Sequence, residues 1–212
     1  MKYSVFVFSV LFSWALFAKG KAGKKPIVAF VGDSITAGYG VTLKTAYPAV
    51  LDELLTKANR PVELINSSVS GSLSSSTLSR VKFLVGRRPV DVLVLAIGGN
   101  DARKATPAES IKSSLESVMK FAKQKKVTVL LVGMKIFSNL GEQYQKEFEG
   151  LYLQLNKAYK PVYMPFLLED VALKPELNQK DGFHPNEDGH KVIAKNMLPY
   201  VLKALDQSKG EK

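Results

Sequence analysis

The chain has 212 residues, of which 46% are hydrophobic and 23% charged, a composition typical of a single globular domain and not of a disordered or fibrous protein. It contains no cysteine and only two histidines, which excludes disulfides, thiolate nucleophiles and zinc sites built from thiolates or from histidines alone; we expect no metal and no other cofactor. The net charge of +11 comes from lysines spread along the chain without interleaved aromatic residues, which argues against a nucleic-acid partner.

The first predicted element is an apolar segment at the N-terminus. Lys2 precedes Val5–Phe17, an apolar run broken only by two serines. A helix of that length reaches about 20 Å, short of the roughly 30 Å of a bilayer core, so the pattern predicts a signal peptide, with a retained anchor as the alternative. We expect residues 1–18 to be removed, with cleavage between 18 and 22, and residues 19–25 to form a flexible basic tail. The protein should then be exported, to a periplasm or out of the cell.

Beyond this segment, short apolar runs alternate with segments of helical period. The runs are rich in β-branched residues and bounded by turn residues, which indicates strands buried on both faces of a parallel sheet. The predicted strands are Ile27–Val31, Val62–Asn66, Val90–Ile97, Val127–Val132 and Val162–Met164. The predicted helices are Thr45–Ala58, Ser74–Val85, Pro107–Lys125, Glu142–Tyr159 and Asn186–Leu205.

This alternation predicts one α/β domain over residues 26–206, followed by a C-terminal tail at 207–212. The expected architecture is a three-layer α/β/α sandwich with a central, mostly parallel five-stranded sheet. At the third predicted helix, Thr106 and Glu109 have the spacing of a capping box around a first-turn proline. In such sheets the functional groups gather at the carboxyl ends of the strands, so we expect the functional site in the loops at those ends.

The first strand ends in Gly32-Asp33-Ser34, a place where a glycine can serve several chemistries. A P-loop requires a lysine after its second glycine, but Tyr39 follows Gly38. The spacing of a dinucleotide fingerprint is absent, and the G-x-S-x-G elbow of α/β-hydrolases fails at Thr36. The remaining hypothesis is a nucleophile on Ser34, which needs a base, an orienting acid and oxyanion donors from other strand ends.

The best candidate base lies just before the last predicted helix, in Asp181-Gly182-Phe183-His184-Pro185. Asp181 is three residues from His184, so its carboxylate can hold the imidazole nitrogen that does not contact the nucleophile. The competing base is His190, but we expect it to face solvent from the last helix.

The loops after the second and third strands offer donors for an oxyanion. Asn100, in Gly-Gly-Asn-Asp, carries a neutral side-chain amide, and Gly71 offers a backbone N–H. The neighbouring carboxylates of Asp33 and Asp101 are predicted to cap backbone N–H groups and to take no part in the chemistry.

Four weak signals thus follow four strand ends in one order: Gly-Asp-Ser, a lone glycine, Gly-Gly-Asn-Asp and Asp-x-x-His. Together they resemble the GDSL or SGNH hydrolase family, in particular its bacterial branch of multifunctional lysophospholipases, arylesterases and acyl-CoA thioesterases. The similarity extends from about Ile27 to about Leu205. Ser72 stands where the branch commonly has an acidic residue, and residues 136–139 lack the proline that the branch tends to have there. Both departures leave the acyl-chain preference open.

The resemblance implies a serine esterase that acts on a small-molecule or lipid ester or thioester through an acyl-enzyme. Ser34 would be the nucleophile, His184 the base and Asp181 the group that orients it. The alternatives are a carbohydrate O-acetyl esterase on the same fold and a catalytically silent binding protein. We expect a monomer whose basic surface can contact an anionic membrane peripherally. The implied oxyanion hole is Ser34, Gly71 and Asn100, and the candidate walls of an acyl groove are Leu73, Ile136 and Phe137.

Overall fold

The computed structural model describes residues 24–136 and 140–210. Its centre is a single sheet whose five strands are all parallel to their neighbours. The strands lie where the apolar runs predict them, and the sheet order confirms the expected α/β class. They are β1 (Ile27–Gly32), β2 (Glu63–Asn66), β3 (Val92–Ala96), β4 (Thr128–Val132) and β5 (Val162–Met164), arranged in the order β2-β1-β3-β4-β5.

The helices of the described residues cover both faces of this sheet. They are α1 (Ser34–Ala37), α2 (Tyr47–Lys57), α3 (Thr77–Arg87), α4 (Gly99–Arg103), α5 (Ala108–Gln124), α6 (Glu142–Tyr159) and α7 (Glu187–Gly210). Helices α2 and α7 pack together on one face, while α3, α5 and α6 pack on the other. The three-layer prediction is therefore confirmed. The sequence analysis missed α1 and α4 because helices of four and five residues are too short to show a helical period.

The core explains why the central strands read as continuous apolar runs. Every residue of β1, β3 and β4 is buried, since helices cover both faces of the sheet. Burying one valine or leucine side chain completely contributes about 1.5–3 kcal/mol, so these strands supply much of the drive to fold. The edge strand β2 is only half-buried and has a weaker apolar pattern.

The strand order also determines where a site can form. From β1 the chain crosses to β2 on one side, and it then returns to β3 on the other side of β1. The loops that leave β1 and β3 therefore diverge and open a crevice at the carboxyl ends of these two strands, which is where ligands bind in open α/β sheets. Ser34 and Asn100 follow these strands directly.

Two predictions about helix ends are wrong, the capping box of α5 and the last residue of α7. No side chain caps α5: Pro107 precedes it with an extended backbone, and the Glu109 carboxylate contacts Lys112 Nζ at 2.8 Å and not a backbone N–H. Helix α7 extends five residues past its predicted end, because its buried side continues through Ser208. Residues 207–210, predicted as a tail, are therefore helical.

The predicted signal peptide and most of the predicted basic tail lie outside the described residues, and these assignments stay predictions. In the part of the chain that the structure describes, no helix combines the length and apolarity needed to cross a bilayer.

Candidate active site

The turn after β1 presents Ser34 as the first residue of α1. Asp33 precedes the helix with an extended backbone, and its carboxylate accepts the Ile35 N–H at 3.2 Å, so its predicted capping role is confirmed. A side chain at Gly32 would place its Cβ only 2.3 Å from Thr36 Oγ1, which is why a glycine is required there. The N–H groups of the first helical turn have no carbonyl partner within the helix, so the Ser34 N–H makes no hydrogen bond within α1.

The structure brings Ser34, His184 and Asp181 together across 150 residues of sequence. Ser34 Oγ lies 2.9 Å from His184 Nε2, and His184 Nδ1 lies 2.7 Å from Asp181 Oδ2. Both distances are those of hydrogen bonds, which connect Ser34 to His184 and His184 to Asp181. Ser34 is 7% exposed and the His184 side chain 12% exposed, so the pair is sheltered but can be reached from the crevice.

The Asp181 carboxylate is held by its own loop. Its Oδ1 accepts the backbone N–H groups of Phe183 and His184, both at 2.9 Å. These bonds and the imidazole contact lower the pKa of Asp181 to about 2. Near neutral pH the carboxylate is therefore ionised and can only accept hydrogen bonds. A neutral His184 must then carry its proton on Nδ1, which leaves the Nε2 lone pair facing the Ser34 hydroxyl.

Two aromatic rings hold the His184 imidazole from its sides. The Tyr39 ring lies 4.7 Å from it in a tilted arrangement, and the Phe183 ring lies 4.9 Å from it edge-to-face. The imidazole plane is thus fixed by packing as well as by its two hydrogen bonds. Tyr39 comes from the loop after α1 and Phe183 from the loop of the base, so the two loops meet at the imidazole.

Gln179 ties these two loops to each other. Its Nε2 donates to the Tyr39 carbonyl at 2.8 Å and to the Pro185 carbonyl at 2.9 Å. A Cβ at Gly40 would lie 2.1 Å from Gln179 Oε1, so the glycine leaves room for this side chain. The sequence analysis missed Gln179, and the only signal available was its position two residues before Asp181.

Asp33 is buried beneath the site. Burial raises its pKa to about 6, against the opposing effects of the Ile35 N–H and the nearby His184. Its hydrogen bond to the N–H of Ile35 indicates a role in holding the Ser34 turn.

The donors predicted for an oxyanion come from two loops that are tied together. Asn100 Nδ2 donates to the Ser72 carbonyl at 3.1 Å, which leaves its second amide hydrogen for another acceptor. Asp101 accepts both the N–H and the hydroxyl of Ser74, so its predicted capping role is also confirmed. Gly71 lies in the loop secured this way, with a left-handed φ of 77° and open space around its Cα. A side chain there would be strained but would meet no neighbour.

The prediction for His190 is wrong in one respect. The residue is fully buried and does not face solvent. Its Nδ1 accepts the Tyr47 N–H at 3.1 Å, and its ring stacks on the Tyr47 ring at 6.0 Å. The reason is that α7 packs on α2, which covers the side of α7 that carries His190. Its hydrogen bond is to Tyr47, whereas the imidazole that lies against the Ser34 hydroxyl is that of His184.

A cleft of about 580 Å³ opens beside the Ser34–His184 pair. Ile136 lines it, as predicted for an acyl groove, whereas Leu73 is half-buried on the loop after β2 and does not line it. Phe137 lies outside the described residues. The walls combine apolar side chains with two cations, and its described lining is Tyr39, Gly99, Ala102, Arg103, Lys135, Ile136, Leu140, Leu168, Ala172, Leu173, Asp181, Gly182, Phe183 and His184.

This arrangement has the parts of nucleophilic acyl transfer: a hydroxyl, a base within hydrogen-bond distance, an acid that orients the base, and amide donors at the same edge of the sheet. Among residues 24–136 and 140–210, no three histidine, aspartate or glutamate side chains are grouped so as to hold a metal ion.

Comparison with known proteins gives a consistent family. The sequence profile of the GDSL-like Lipase/Acylhydrolase family matches residues 30–192. The chain is 29% identical to the arylesterase of Vibrio mimicus, over 93% of this chain and 98% of that protein. It is 28% identical to thioesterase 1/protease 1/lysophospholipase L1 of Escherichia coli K12, over 93% and 96%. Among solved structures, the SGNH-hydrolase family esterase AlinE4 is 33% identical, with a TM-score of 0.73 over 87% of this chain and 99% of that one.

The family match covers most of the chain, includes both ends of the site and agrees with the parallel five-stranded sheet. The resemblance found in the four strand-end motifs is therefore confirmed: this chain belongs to the GDSL-like lipase/acylhydrolase family and is an SGNH-type hydrolase.

Proposed function

We propose that this chain is a serine esterase that hydrolyses carboxylic esters or thioesters of acyl substrates through an acyl-enzyme on Ser34. The observation that carries the proposal is the line of hydrogen bonds from Ser34 Oγ through His184 to Asp181, at 2.9 and 2.7 Å. The activities in the names of the relatives, arylesterase and thioesterase/lysophospholipase, agree with this reaction class.

In the first half of the reaction Ser34 Oγ attacks the substrate carbonyl carbon while His184 Nε2 takes the hydroxyl proton. Asp181 stabilises the imidazolium that results. The tetrahedral oxyanion accepts hydrogen bonds from the N–H groups of Ser34 and Gly71 and from the free amide hydrogen of Asn100. When the bond from carbon to the alcohol or thiol breaks, His184 gives its proton to the leaving group, and Ser34 remains acylated.

In the second half a water molecule attacks the acyl carbon. His184 Nε2 takes a proton from this water, the bond between Ser34 Oγ and carbon breaks, and the proton returns to the serine. The acid leaves and the resting hydrogen bonds re-form. Because the donors are already in place before charge develops, no reorganisation is needed at the moment of reaction.

The cleft lining favours acyl chains over sugars as the group that is bound. Four aliphatic side chains, Ile136, Leu140, Leu168 and Leu173, line the cleft and can contact an acyl chain. The two aromatic rings of the lining, Tyr39 and Phe183, pack against the His184 imidazole. The carbohydrate O-acetyl esterase alternative would be favoured by faster cleavage of acetylated xylo-oligosaccharide than of p-nitrophenyl butyrate at equal concentration.

A fluorophosphonate probe tests the proposal directly, because only an activated serine is phosphonylated at a useful rate. We expect the wild-type protein to be labelled at Ser34, found by peptide mass spectrometry, and to lose p-nitrophenyl butyrate hydrolysis in proportion to labelling. Ser34→Ala should bind no probe. The matched control is Ser117→Ala, an exposed helical serine outside the site, which should be labelled at the wild-type rate. An unlabelled wild-type protein would favour the silent binding protein.

We also propose that the enzyme is exported after removal of residues 1–18, as a monomer. The apolar N-terminal segment and the basic residues around it support the export. Mass spectrometry of protein recovered from the periplasm or medium of an expressing bacterium should find an N-terminus between residues 19 and 23. Recovery of the full-length chain from the membrane fraction would favour the retained anchor, and light scattering would report the oligomeric state.

A further inference from the structure

The cleft beside the nucleophile carries two cations without carboxylate partners. Arg103, at the end of α4, and Lys135, after β4, both line it. Within residues 24–136 and 140–210, neither side chain forms an ion pair. Both side chains are exposed and solvated in the free protein, and their position on the cleft wall leaves them available to an anion that the cleft receives.

Aromatic rings hold both cations in place without using their hydrogen-bond donors. The Arg103 guanidinium carbon lies 5.0 Å above the Phe183 ring centre, and Lys135 Nζ lies 5.1 Å above the Phe166 ring centre. A guanidinium over a ring keeps its N–H groups at its edges, where they can bind a carboxylate or phosphate with two parallel hydrogen bonds. The cations are therefore positioned by the fold and still able to bind a ligand.

The Arg103 cation is close to the reacting atoms. Phe183 contacts both Arg103 and the His184 imidazole, with distances of 5.0 and 4.9 Å between centres. The guanidinium carbon therefore lies within about 10 Å of the imidazole centre. An anionic group only a few bonds from the scissile ester would come within reach of the guanidinium while the carbonyl sits at Ser34.

The one carboxylate among the described lining residues, Asp181, is a single negative charge beside the two positive charges of Arg103 and Lys135. Asp181 directs Oδ1 to two backbone N–H groups and Oδ2 to the imidazole, so both of its oxygens are occupied. The chain as a whole carries a net charge of +11, which adds a field that attracts anions toward the cleft.

From these observations we infer that Arg103 and Lys135 form an anion subsite, which selects esters carrying a carboxylate or phosphate a few bonds from the scissile carbonyl. The inference rests on the proposed esterase function and adds a substrate class to it. The anion can belong to the acid part or to the alcohol part of the ester, since either part can occupy the cleft.

Two pairs of substrates distinguish an anion in the acid part of the ester from an anion in the alcohol part. For the acid part, the mono-4-nitrophenyl ester of glutarate is compared with 4-nitrophenyl pentanoate, which has the same chain length and no charge. For the alcohol part, 1-decanoylglycerol 3-phosphate is compared with 1-decanoylglycerol. The measured quantity is the ratio of kcat/KM for the anionic member to kcat/KM for the neutral member, so that a general loss of packing cancels.

In the double variant R103Q/K135Q we expect the ratio to fall about tenfold in the arm whose anion reaches the subsite, in keeping with two partly exposed charge contacts. The wild-type ratio should also fall when the salt concentration rises from 50 to 500 mM, because salt screens exposed charges. Lys104→Gln removes a neighbouring exposed cation that does not line the cleft, and it should leave the ratio unchanged in both arms.

An unchanged ratio in both arms of R103Q/K135Q, or an equal fall in Lys104→Gln, overturns the subsite. Failure of the esterase proposal looks different: the wild-type protein would then cleave neither neutral ester, or Ser34→Ala would cleave them as fast as the wild type.

Discussion

The two histidines of this chain lie six residues apart and have opposite environments. His184 has both ring nitrogens in use, one toward Ser34 and one toward Asp181, and it borders the open cleft. His190 is buried between α2 and α7, where Nδ1 accepts a backbone N–H and Nε2 has no partner among the described residues. Burial lowers the pKa of His190 to about 4, and the nearby His184 adds to this effect.

The difference shows that the role of a histidine follows from its partners. A general base needs an acid that sets its tautomer and a substrate proton within reach, and only His184 has both. His190 is kept neutral because burial disfavours the charged imidazole, and the Glu187 carboxylate offsets this effect only in part. Its contribution is to the packing of two helices, and four experiments test this difference between the two histidines.

The largest effect is expected from His184→Ala. Removal of the base from a serine triad lowers turnover by about 10⁴- to 10⁶-fold, and kcat for p-nitrophenyl butyrate should fall within that range. The fold should persist, since His184 lies at the surface of the cleft. The matched control, His190→Asn, retains an acceptor for the Tyr47 N–H and should keep kcat within about twofold of wild type, in line with its place outside the site. If His190→Asn abolishes turnover and His184→Ala does not, the assignment of the base is wrong.

A second pair extends the comparison to asparagine amides. Asn100 and Asn196 each donate to a backbone carbonyl, those of Ser72 and Glu169, but only Asn100 lies at the site. Asn100→Ala should lower kcat by about 10²- to 10³-fold, the usual loss for one oxyanion donor. Each substitution also removes one hydrogen bond worth about 1 kcal/mol of stability. Equal kcat values for Asn100→Ala and Asn196→Ala would remove Asn100 from the oxyanion hole.

Loss of the Gln179 side chain, which ties the Tyr39 loop to the loop that carries His184, should have a smaller effect on rate. Gln179→Ala deletes the bonds to the Tyr39 and Pro185 carbonyls, so the imidazole is held less firmly against Ser34. We expect kcat to fall about tenfold with KM nearly unchanged, because misplacement affects the chemical step more than binding. Gln143→Ala, which removes an exposed glutamine of α6, is the control. A change confined to thermal stability would make Gln179 a purely structural residue.

Protonation of His190 should have the smallest effect on rate and the clearest effect on stability. Its pKa is about 4 when folded and near 6.5 when unfolded, so between these values only the unfolded chain takes up the proton. The free energy of unfolding should therefore decrease as the pH falls from 6.5 to 4, by on the order of 3 kcal/mol in total from this group.

Urea unfolding of wild type and His190→Asn at pH 7, 5.5 and 4.5 measures this effect. Asp33 acts in the opposite direction: its raised pKa stabilises the fold at low pH, and this contribution is lost as the pH rises through about 6. Because both proteins contain Asp33, the difference between them isolates His190. The stability gap between wild type and variant should narrow as the pH falls, and a constant gap would contradict the lowered pKa.

The sheet and the four site motifs were predictable because they depend on local patterns. β-branched runs determined the strands, and the order of the motifs placed Ser34, Asn100 and His184 at one edge of the sheet. The burial of His190 was not predictable, since it depends on which side of α7 faces α2, and a weakly amphipathic sequence does not decide this. Gln179 and Arg103 were missed for the same reason: their roles come from partners 140 and 80 residues away in sequence.

The placement of acid and base on one short loop has a consequence for how the enzyme would lose activity. Asp181 and His184 both depend on the segment from Gln179 to Pro185, which is held by the isolated bridge between Asn178 and Pro185, by the hydrogen bond from Gln179 to Tyr39 and by ring contacts of Phe183 and His184. Fraying of that one segment separates the triad while the sheet stays intact. On heating, catalysis should then disappear before the circular dichroism signal changes, and the amide hydrogens of Phe183 and His184, which bond to Asp181, should exchange faster over the same temperature range.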